Sequence, residues 1–374
     1  MTHLSNEVNY QCIGCGTQIQ TNDKDKIGYL PQSALEKGIE KGEFYCQRCF
    51  KLRHYNELQD LEISDDIFLE KLSNIANTNA LVVNVIDIFD IEGSLIYGLP
   101  RFIGNQPFVV VANKFDLLPK STKASRVRDW IRQLLNQNGL YPEDVLLTVA
   151  TKQNSLNDLI KVIERAIKKR DIYIVGVTNV GKSSLMNQLI AYYGGDKEII
   201  TTSSHPGTTL DLIQIPLTPE HAIIDTPGII HRSQLAHYLK PNELGKVIPI
   251  KPIKPKTYQL NPGQTIFLAG LGRVDFISGE RAPFTYYVSN ELYIHRTKTE
   301  KANEFYKQHK GKLLAPPSTQ TIDEFPKLIP QRIRLKPNQD LVISGLGWLT
   351  TTKSVELEVW IPKGVGLAVR QAII

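Results

Sequence analysis

The stretch DIYIVGVTNVGKSSLMNQLI (Asp171–Ile190) decides the fold of this chain. An apolar, β-branched run at Ile172–Val175 enters a loop bounded by glycines, and the residues after the loop have the apolar spacing of a helix. The pattern G-x-x-x-x-G-K-S, which starts at Gly176, is typical of a phosphate loop, whose backbone N–H groups and helix N-terminus face phosphate oxygens. The stretch therefore predicts strand, loop and helix, with Lys182 on the β- and γ-phosphates and the Ser183 hydroxyl on Mg²⁺.

Two segments downstream of this loop complete a phosphate site. HAIIDTPG places Asp225 at the end of a short apolar strand, where its carboxylate can join the Mg²⁺ shell, and the Gly228 N–H can sense a γ-phosphate. SHPGTTLDLIQI offers Thr208 or Thr209 to close over the metal, and we favour Thr209. A chance glycine-rich loop is the alternative for the first motif alone, and these companions disfavour it. The predicted catalytic residues are Lys182, Thr209 and Gly228, and the predicted magnesium ligands are Ser183, Thr209 and Asp225.

NKFD, which ends at Asp116, follows the buried-strand run QPFVVVA and predicts guanine recognition. The Asp116 carboxylate can accept both N1–H and N2–H of guanine, whereas adenine offers no such pair. Asn113 and Lys114 are expected to brace the neighbouring loops. An NKxD motif alone is weak evidence, because surface loops carry it by chance, but beside GxxxxGKS and DTPG it predicts a GTPase.

A fifth element should lie beside the base. After DVLLTV come Ala150, Thr151 and Lys152, where a GTPase has a Ser-Ala-Lys triplet, although Val149 departs from that pattern. The Ala150 N–H is expected to meet guanine O6. The full set of predicted nucleotide-binding residues is Asn113, Lys114, Asp116, Ala150, Thr151, Lys152, Asn179, Val180, Gly181, Lys182, Ser183, Ser184, Asp225 and Gly228.

The motifs occur in the order NKFD, ATK, GVTNVGKS, PGTT, DTPG, whereas an ordinary GTPase begins with the phosphate loop. Cutting such a domain between its third and fourth elements and joining its old ends produces this order. Short β-rich runs, from ALVVNVIDIFD (Ala80–Asp90) to AIID, alternate with helical stretches at Ser125–Leu135 and Leu156–Lys169. The fold class predicted is therefore α/β, a circularly permuted P-loop GTPase domain with a mostly parallel sheet and helices on both faces.

The cysteines form two CxxC pairs, Cys12/Cys15 and Cys46/Cys49. This spacing is typical of a structural zinc site, because each tight turn brings two thiolates to one tetrahedral ion. Two disulfides or a redox CxxC are the alternatives; the first is disfavoured without an export signal and the second needs no second copy. A small zinc-finger domain is predicted at residues 1–60, ahead of the GTPase domain at 61–235.

Charge separates the two ends of the chain. The whole chain has a net charge of +6, which divides into −4 for residues 1–230 and +10 for residues 231–374. The basic C-terminal part is the better candidate for a polyanion surface, although a solvated basic face without a ligand is the alternative. No run of apolar residues is long enough for a membrane helix, and no targeting pattern is visible, so a cytoplasmic protein without membrane contact is expected.

The C-terminal part, residues 236–374, contains a linker and an internal repeat. PGQTIFLAGLGRVDFISG (Pro262–Gly279) aligns with PNQDLVISGLGWLTTTKS (Pro337–Ser354) at an offset of 75 residues, which predicts a duplicated β unit. Basic and aromatic residues interleave here and could stack RNA bases and neutralise phosphates, unless the aromatics form the β core. They are Arg273, Phe276, Arg281, Tyr286, Tyr287, Tyr293, His295, Arg296, Arg332 and Arg334.

Together, the CxxC pairs, VIDIFDIEGS, NKFD, GVTNVGKSS, PGTT and DTPG resemble the YqeH family of circularly permuted GTPases, across the whole chain. The resemblance implies GTP as substrate, Mg²⁺ and structural Zn²⁺ as cofactors, and a role in assembling the small (30S) ribosomal subunit. It also implies a C-terminal domain that binds rRNA or a subunit precursor. A GTP-gated RNA-binding scaffold and a GTPase partner of an RNA-modifying enzyme are the alternatives, and a monomer is expected.

The residue after DTPG is Ile229, where Ras-like enzymes have a water-orienting Gln. The resemblance implies that turnover does not depend on this side chain and is slow without a partner. Asn179 resembles the asparagine that helps to hold a K⁺ ion in related GTPases. The alternative is a loop Asn selected for its backbone conformation.

Overall fold

The computed structural model describes residues 10, 12, 18–24, 26, 28–41, 44–47, 50, 62–63, 73–194, 213–226, 228–229 and 233–374. By its internal contacts the chain divides into two units. The first unit contains Met1–Asp87, Leu95–Lys114 and Ile131–Ile230, and the second contains Ile88–Ser94, Phe115–Trp130 and His231–Ile374. Two short segments of the predicted GTPase domain thus group with the C-terminal residues, and the three-domain division stays a prediction.

The described helices and strands carry the following labels. Helices are α1 Gln32–Lys41, α2 Ile91–Ser94, α3 Leu99–Ile103, α4 Ala124–Gln137, α5 Asn157–Ala166, α6 Lys182–Gly194, α7 Pro241–Val247 and α8 Thr299–His309. Strands up to the DTPG segment are β1 Glu62–Ile63, β2 Ala80–Asp87, β3 Phe108–Asn113, β4 Val145–Leu147, β5 Asp171–Gly176, β6 Ile213–Pro216, β7 Ala222–Asp225 and β8 Gly228–Ile229. Later strands are β9 Lys256–Leu260, β10 Gln264–Leu268, β11 Gly272–Gly279, β12 Ala282–Val288, β13 Ile294–Lys298, β14 Leu328–Leu335, β15 Gln339–Ile343, β16 Gly347–Thr351, β17 Val355–Pro362 and β18 Leu367–Gln371.

The predicted strands of the first unit, together with β6, which was not predicted, form one sheet in the order β4-β3-β2-β5-β7-β6. Neighbours are parallel except for β6, which is antiparallel to β7. β2 and β3 are buried along their whole length, which is why they read as continuous apolar runs rather than as alternating ones. The permuted α/β fold predicted from the motif order is confirmed. β8 lies outside this sheet and pairs with β1 in a short parallel ladder.

The sheet has a topological switch between β2 and β5. From β2 the chain steps to β3 and β4, whereas from β5 it steps the other way, towards β7. Right-handed crossovers that run in opposite directions place their helices on opposite faces of the sheet. In open α/β sheets, ligands bind outside the carboxyl ends of the strands at such a switch. Val85 pairs with Gly176, so the end of β2 and the start of the phosphate loop lie side by side.

Helix and strand boundaries follow the predictions with two differences. α4 lies over the predicted helix. α5 is shorter than predicted, because Leu156 belongs to the preceding 3-10 helix Gln153–Leu156 and the α-helix ends at Ala166 rather than at Lys169. The first strand was expected to reach Asp90 but ends at Asp87, where the chain passes into the second unit. None of the helices in the described residues is long and apolar enough to cross a membrane.

The second unit confirms the duplication. Its strands form two antiparallel five-stranded sheets in the orders β13-β10-β11-β17-β14 and β18-β15-β16-β12-β9. β9 to β13 form one copy and β14 to β18 the other, and each sheet combines three strands of one copy with two of the other. The copies are therefore intertwined, and neither can form its sheet alone. Exchanging corresponding strands converts one order into the other.

The inner faces of these two sheets form an apolar core, and this corrects part of the predicted RNA surface. Phe276 and Tyr286 are completely buried or nearly so, and Tyr287 and Arg273 are also buried. For the three aromatic residues the alternative interpretation, aromatics in the β core, was right, whereas the buried Arg273 fits neither interpretation, because the alternative placed the charges in solvent. The other basic side chains of the set, Arg281, Arg296, Arg332 and Arg334, are exposed.

The motif VIDIFDIEGS has a structural role in the second unit. Asp90 accepts hydrogen bonds from Ser344 Oγ and Gln234 Nε2, each at 3.1 Å. Glu92 receives Arg370 Nη1 at 2.6 Å, and Arg370 Nε also lies 3.4 Å from Asp340. These acidic residues therefore fix the segment Ile88–Ser94 to the second copy of the repeat.

Arg370, Glu92 and Asp340 form a cluster of one cation and two carboxylates. The buried carboxylate, Asp340, should make the stability of the protein depend on pH. Burial raises the pKa of Asp340 to about 6, although Arg370 opposes the shift. Between about pH 4 and 6 the folded chain therefore holds a proton that the unfolded chain releases, so this stabilisation is lost as the pH rises. We expect Asp340→Asn to gain on the order of 1 kcal/mol relative to the wild type between pH 5 and pH 7.5.

Urea denaturation followed by tryptophan fluorescence measures this difference. Trp130, Trp348 and Trp360 all belong to the second unit, so the signal reports that unit. A difference between the two proteins that does not change with pH would contradict the assignment of the proton to Asp340.

Candidate nucleotide site

The phosphate loop has a backbone that its sequence explains. It runs from the end of β5 to the start of α6 at Lys182, and Asn179 and Gly181 have φ values of 65° and 87°. A Cβ on Gly181 would lie 2.3 Å from Asn113 Nδ2, so glycine is required there for space as well as for backbone conformation. The loop thus passes directly beneath the first residue of NKFD.

Asn113 joins three segments of the site. Its Nδ2 donates to the carbonyl oxygen of Val180 at 2.8 Å, and its Oδ1 accepts the Ala150 N–H at 2.8 Å. The side chain is buried, and Thr148 Oγ1 approaches the same oxygen at 3.4 Å. Asn113 therefore holds the phosphate loop against the segment that follows β4, as expected of a bracing residue.

Lys114 makes a second brace on the phosphate loop. Its Nζ donates to the carbonyl oxygen of Asn179 and to Asp87 Oδ2, both at 2.6 Å. Asp87 is the last residue of β2, so the ends of β2 and β3 and the phosphate loop are tied together by one ammonium group. Asp87 was not among the predicted site residues; its position at the end of the apolar run ALVVNVID was the available signal.

The remaining base-side residues are placed as follows. Asp116, the last residue of NKFD, lies in the 3-10 helix Phe115–Leu117. Its contact with guanine stays a prediction. Thr151 and Lys152 are exposed. The Ala150 N–H is donated to Asn113 in this structure, so a bond to guanine O6 requires that amide to be shared or released.

Lys182 and Asp225 form a buried ion pair. Lys182 Nζ lies 2.6 Å from Asp225 Oδ1, also donates to the Thr226 carbonyl oxygen, and the two charged residues are 3% and 1% exposed. Their charges compensate each other, which a buried charge requires. When Mg²⁺·GTP binds, Lys182 would exchange the negative carboxylate for the negative phosphates. Asp225 would exchange the positive ammonium group for the positive metal ion.

The oxygen donors here suit magnesium. Asp225 supplies a carboxylate at the end of β7, and the buried Ser183 supplies a hydroxyl in the first turn of α6. Hard oxygen ligands of this type, used together with nucleotide phosphates, are what Mg²⁺ prefers. The third predicted ligand, Thr209, lies outside the described residues.

Gly228 lies against the phosphate loop through a residue that the sequence reasoning did not select. A Cβ on Gly228 would be 3.2 Å from Thr178 Cγ2 and 3.4 Å from the Thr178 backbone nitrogen. The Thr178 hydroxyl is buried and has no hydrogen-bond partner among the described residues. Thr178 is an undefined position in the G-x-x-x-x-G-K-S pattern, so the motif carries no signal for it.

At the N-terminus, two of the four predicted zinc ligands are described and lie together. Cys12 and Cys46 are both buried, and the Cys46 N–H points at Cys12 Sγ at 3.2 Å. In zinc sites, hydrogen bonds of this kind orient the ligating side chains. Cys15 and Cys49 lie outside the described residues, within which no group of three or more metal-binding side chains occurs.

Removing the Asn113 brace should weaken nucleotide binding. In Asn113→Ala the Val180 carbonyl and the Ala150 amide both lose a buried partner, so we expect a loss of about 2 kcal/mol in stability of the phosphate loop and roughly tenfold weaker GTP binding. Titration with a fluorescent GTP analogue measures this. Asn138→Ala, which removes one exposed bond to Leu134, is the matched control and should bind normally.

Comparisons with known proteins agree with this geometry. A family model described as a 50S ribosome-binding GTPase matches residues 171–250, which contain the phosphate loop and DTPG. A second model, described as YqeH-like, C-terminal, matches residues 281–373.

Two relatives extend the match over nearly the whole chain. The protein YqeH of Bacillus subtilis is 46% identical over 97% of this chain and 99% of its own length. NO-associated protein 1, chloroplastic/mitochondrial, of Arabidopsis thaliana is 30% identical over 91% of this chain and 69% of its own length. Among solved structures, YjeQ from Thermotoga maritima superposes with a TM-score of 0.26 at 24% identity, covering 41% of this chain and 48% of that one. That superposition is too limited to contribute to the assignment.

Proposed function

Because the chain belongs to the YqeH family and is a circularly permuted GTPase, we propose that it hydrolyses GTP to control its own binding to a precursor of the small ribosomal subunit. The observation that supports this most directly is the pair of braces from NKFD to the phosphate loop, Asn113 to Val180 and Lys114 to Asn179. They couple the base-reading segment to the phosphate-binding segment despite the permuted order. The basic second unit is the proposed RNA-binding part.

Hydrolysis requires attack of water on the γ-phosphorus while the bond to the β–γ bridging oxygen breaks and GDP leaves. Mg²⁺, held by Ser183, Asp225 and Thr209, would neutralise charge on the β- and γ-phosphates. Lys182 would add a second positive charge, and the Gly228 N–H would contact the γ-phosphate. Ile229 has no group that can orient water, so turnover by the protein alone should be slow.

Potassium is the proposed source of further positive charge, through Asn179. The residue is exposed, but its left-handed φ of 65° is also what the alternative, an Asn selected for backbone conformation, requires. We expect GTP turnover to be several-fold faster in K⁺ than in Na⁺ buffer, and Asn179→Gly, which keeps the backbone conformation, to abolish the difference. Equal rates in both buffers would remove the ion.

Two further parts of the proposal concern the ends of the chain. Zn²⁺ held by Cys12, Cys15, Cys46 and Cys49 would fold the N-terminal segment, with no part in the chemistry. The exposed arginines of the second unit would meet rRNA phosphates. We also propose that the protein is a cytoplasmic monomer. Metal analysis of the purified protein tests for zinc, and its mass in solution tests whether it is a monomer.

Stimulation of GTP hydrolysis by ribosomal particles tests the proposed function. We expect 30S particles and their precursors to accelerate turnover at least about tenfold, as a helper that completes a GTPase site does. The family model that matches the GTPase domain is described as a 50S ribosome-binding GTPase. The same experiment should therefore also include 50S particles. Stimulation by 50S alone would contradict the subunit proposed, and no stimulation by either would favour a GTPase that assists another enzyme.

A further inference from the structure

A cavity of about 310 Å³ lies in the second unit, apart from the nucleotide site. Its walls come from α8, from the segment that leads into β14, and from the strands β11 and β17. Arg273 lines it, and this residue is 4% exposed. The chain therefore provides a pocket with a buried cation in the part of the molecule that carries the net positive charge.

Arg273 is held by an ion pair and by an aromatic ring, and one of its nitrogens is buried without a partner among the described residues. Its Nη2 lies 3.1 Å from Asp275 Oδ2, and its guanidinium is 4.3 Å from the centre of the Trp360 ring. Asp275 is itself held by Thr265 Oγ1 at 2.7 Å and by Trp360 Nε1 at 3.0 Å. Arg273 Nε has no hydrogen-bond partner among the described residues. A buried donor of this kind costs stability unless a ligand uses it.

The rest of the wall combines aromatic surface with positive charge. Tyr306, Phe325 and Trp360 line the cavity. The Tyr306 hydroxyl is donated to the Gly270 carbonyl at 3.1 Å, and one face of its ring stacks on Phe267. Within the described part of the chain, no acidic residue lines the cavity. Its three lysines, Lys307, Lys310 and Lys327, are all exposed.

We propose that this cavity binds one nucleotide unit of single-stranded RNA, with the base against the aromatic wall and the phosphate towards the lysines. Its volume is at the lower end of the range for small-ligand pockets, about 300 Å³, which suits one nucleotide and no more. Flat rings bind bases without sequence preference, and lysines bind phosphates. The proposal rests on the proposed RNA-binding function and adds the place and the size of one contact. A free nucleotide has the same chemistry and is the other source of such a ligand.

Trp360 reports binding, because a stacked base quenches tryptophan fluorescence. A short single-stranded RNA and free AMP are titrated separately into the full-length protein; AMP avoids the guanine site. We expect saturable quenching by the RNA that disappears in Trp360→Phe, in which Trp130 and Trp348 remain. Quenching by AMP as well would show that the pocket also accepts free nucleotides, and both results support the site.

Lysine substitutions separate this pocket from general charge. The triple variant Lys307→Gln, Lys310→Gln, Lys327→Gln should bind RNA roughly tenfold more weakly. The matched triple variant Lys301→Gln, Lys312→Gln, Lys336→Gln removes equal charge from exposed positions of the same unit that do not line the cavity, and should lose much less.

The possible failures are distinct. Tight RNA binding that both triple variants weaken equally, without quenching that depends on Trp360, would overturn the pocket and leave the RNA-binding function standing. Absence of any binding of RNA or AMP to the wild type would overturn both.

Discussion

Lys182→Met should abolish GTP hydrolysis and also destabilise the first unit. Lys182 forms an ion pair with the buried Asp225, so its removal takes away a charge that compensates that carboxylate. Breaking a buried pair in this way costs about 3–5 kcal/mol. Loss of one positive group at the transferring phosphoryl group should lower kcat by about a hundredfold or more. Phosphate release and thermal unfolding measure the two effects.

A double variant keeps these effects apart. In Lys182→Met with Asp225→Asn both charges are gone, so much of the lost stability should return while hydrolysis stays absent. If the double variant is as unstable as the single one, the ion pair in the structure is not what stabilises this region. If Lys182→Met hydrolyses GTP at the wild-type rate, the assignment of the phosphate loop is wrong.

Asp116→Asn should change the base that the enzyme selects. An ionised carboxylate accepts two N–H groups of guanine, whereas an amide presents one acceptor and one donor and leaves a guanine N–H facing a donor. We expect kcat/KM for GTP to fall by about a hundredfold or more, because rejection of a mismatched hydrogen-bonding edge is strong. Xanthosine triphosphate has a carbonyl where guanosine triphosphate has the amino group, so its use should improve.

The control for Asp116→Asn is the same substitution, aspartate to asparagine, at another residue of the chain. Asp129→Asn, in the middle of α4, alters one surface carboxylate of the same segment of the second unit and should leave the preference for GTP unchanged. A variant Asp116→Asn that still prefers GTP over xanthosine triphosphate by the wild-type ratio would show that Asp116 does not read the base.

The nucleotide site was predictable in its parts because each motif encodes a local backbone need. Gly181 must be glycine to pass beneath Asn113, and the apolar runs before NKFD and GVTNVGKS are the central strands β3 and β5. The contacts between motifs were harder to predict. Asp87 and Thr178 acquire their roles only when the sheet brings distant segments together, and no spacing along the chain encodes that.

In the C-terminal part, the contacts of single residues were harder to predict than the repeat. The 75-residue repeat predicted duplicated strands, but not that each sheet would take strands from both copies. Alternation of basic and aromatic residues suggested a surface, yet Phe276 and Tyr286 are in the core. Aromatic side chains that alternate along a strand usually lie on the buried face of the sheet, where they pack against their cross-strand neighbours. Ile88–Ser94 groups with the second unit, where Glu92 bonds to Arg370, a residue far from it in sequence.

The permuted order places the proposed γ-phosphate sensor next to the proposed RNA-binding part along the chain. In an unpermuted GTPase, strands that read the base follow DTPG. Here the first unit ends at Ile230, directly after that segment, and His231 begins the long C-terminal part of the second unit. We therefore expect the DTPG segment, the proposed sensor of the γ-phosphate, to act on the proposed RNA-binding part.

The affinity of the protein for small-subunit precursor particles, measured by co-sedimentation with a non-hydrolysable GTP analogue and with GDP, tests this account most directly. A coupling of the usual size predicts that the two nucleotides change the affinity by about tenfold or more, with the GTP form bound more tightly. Equal affinity for the precursor in both nucleotide states, with the nucleotides shown to be bound, would contradict it.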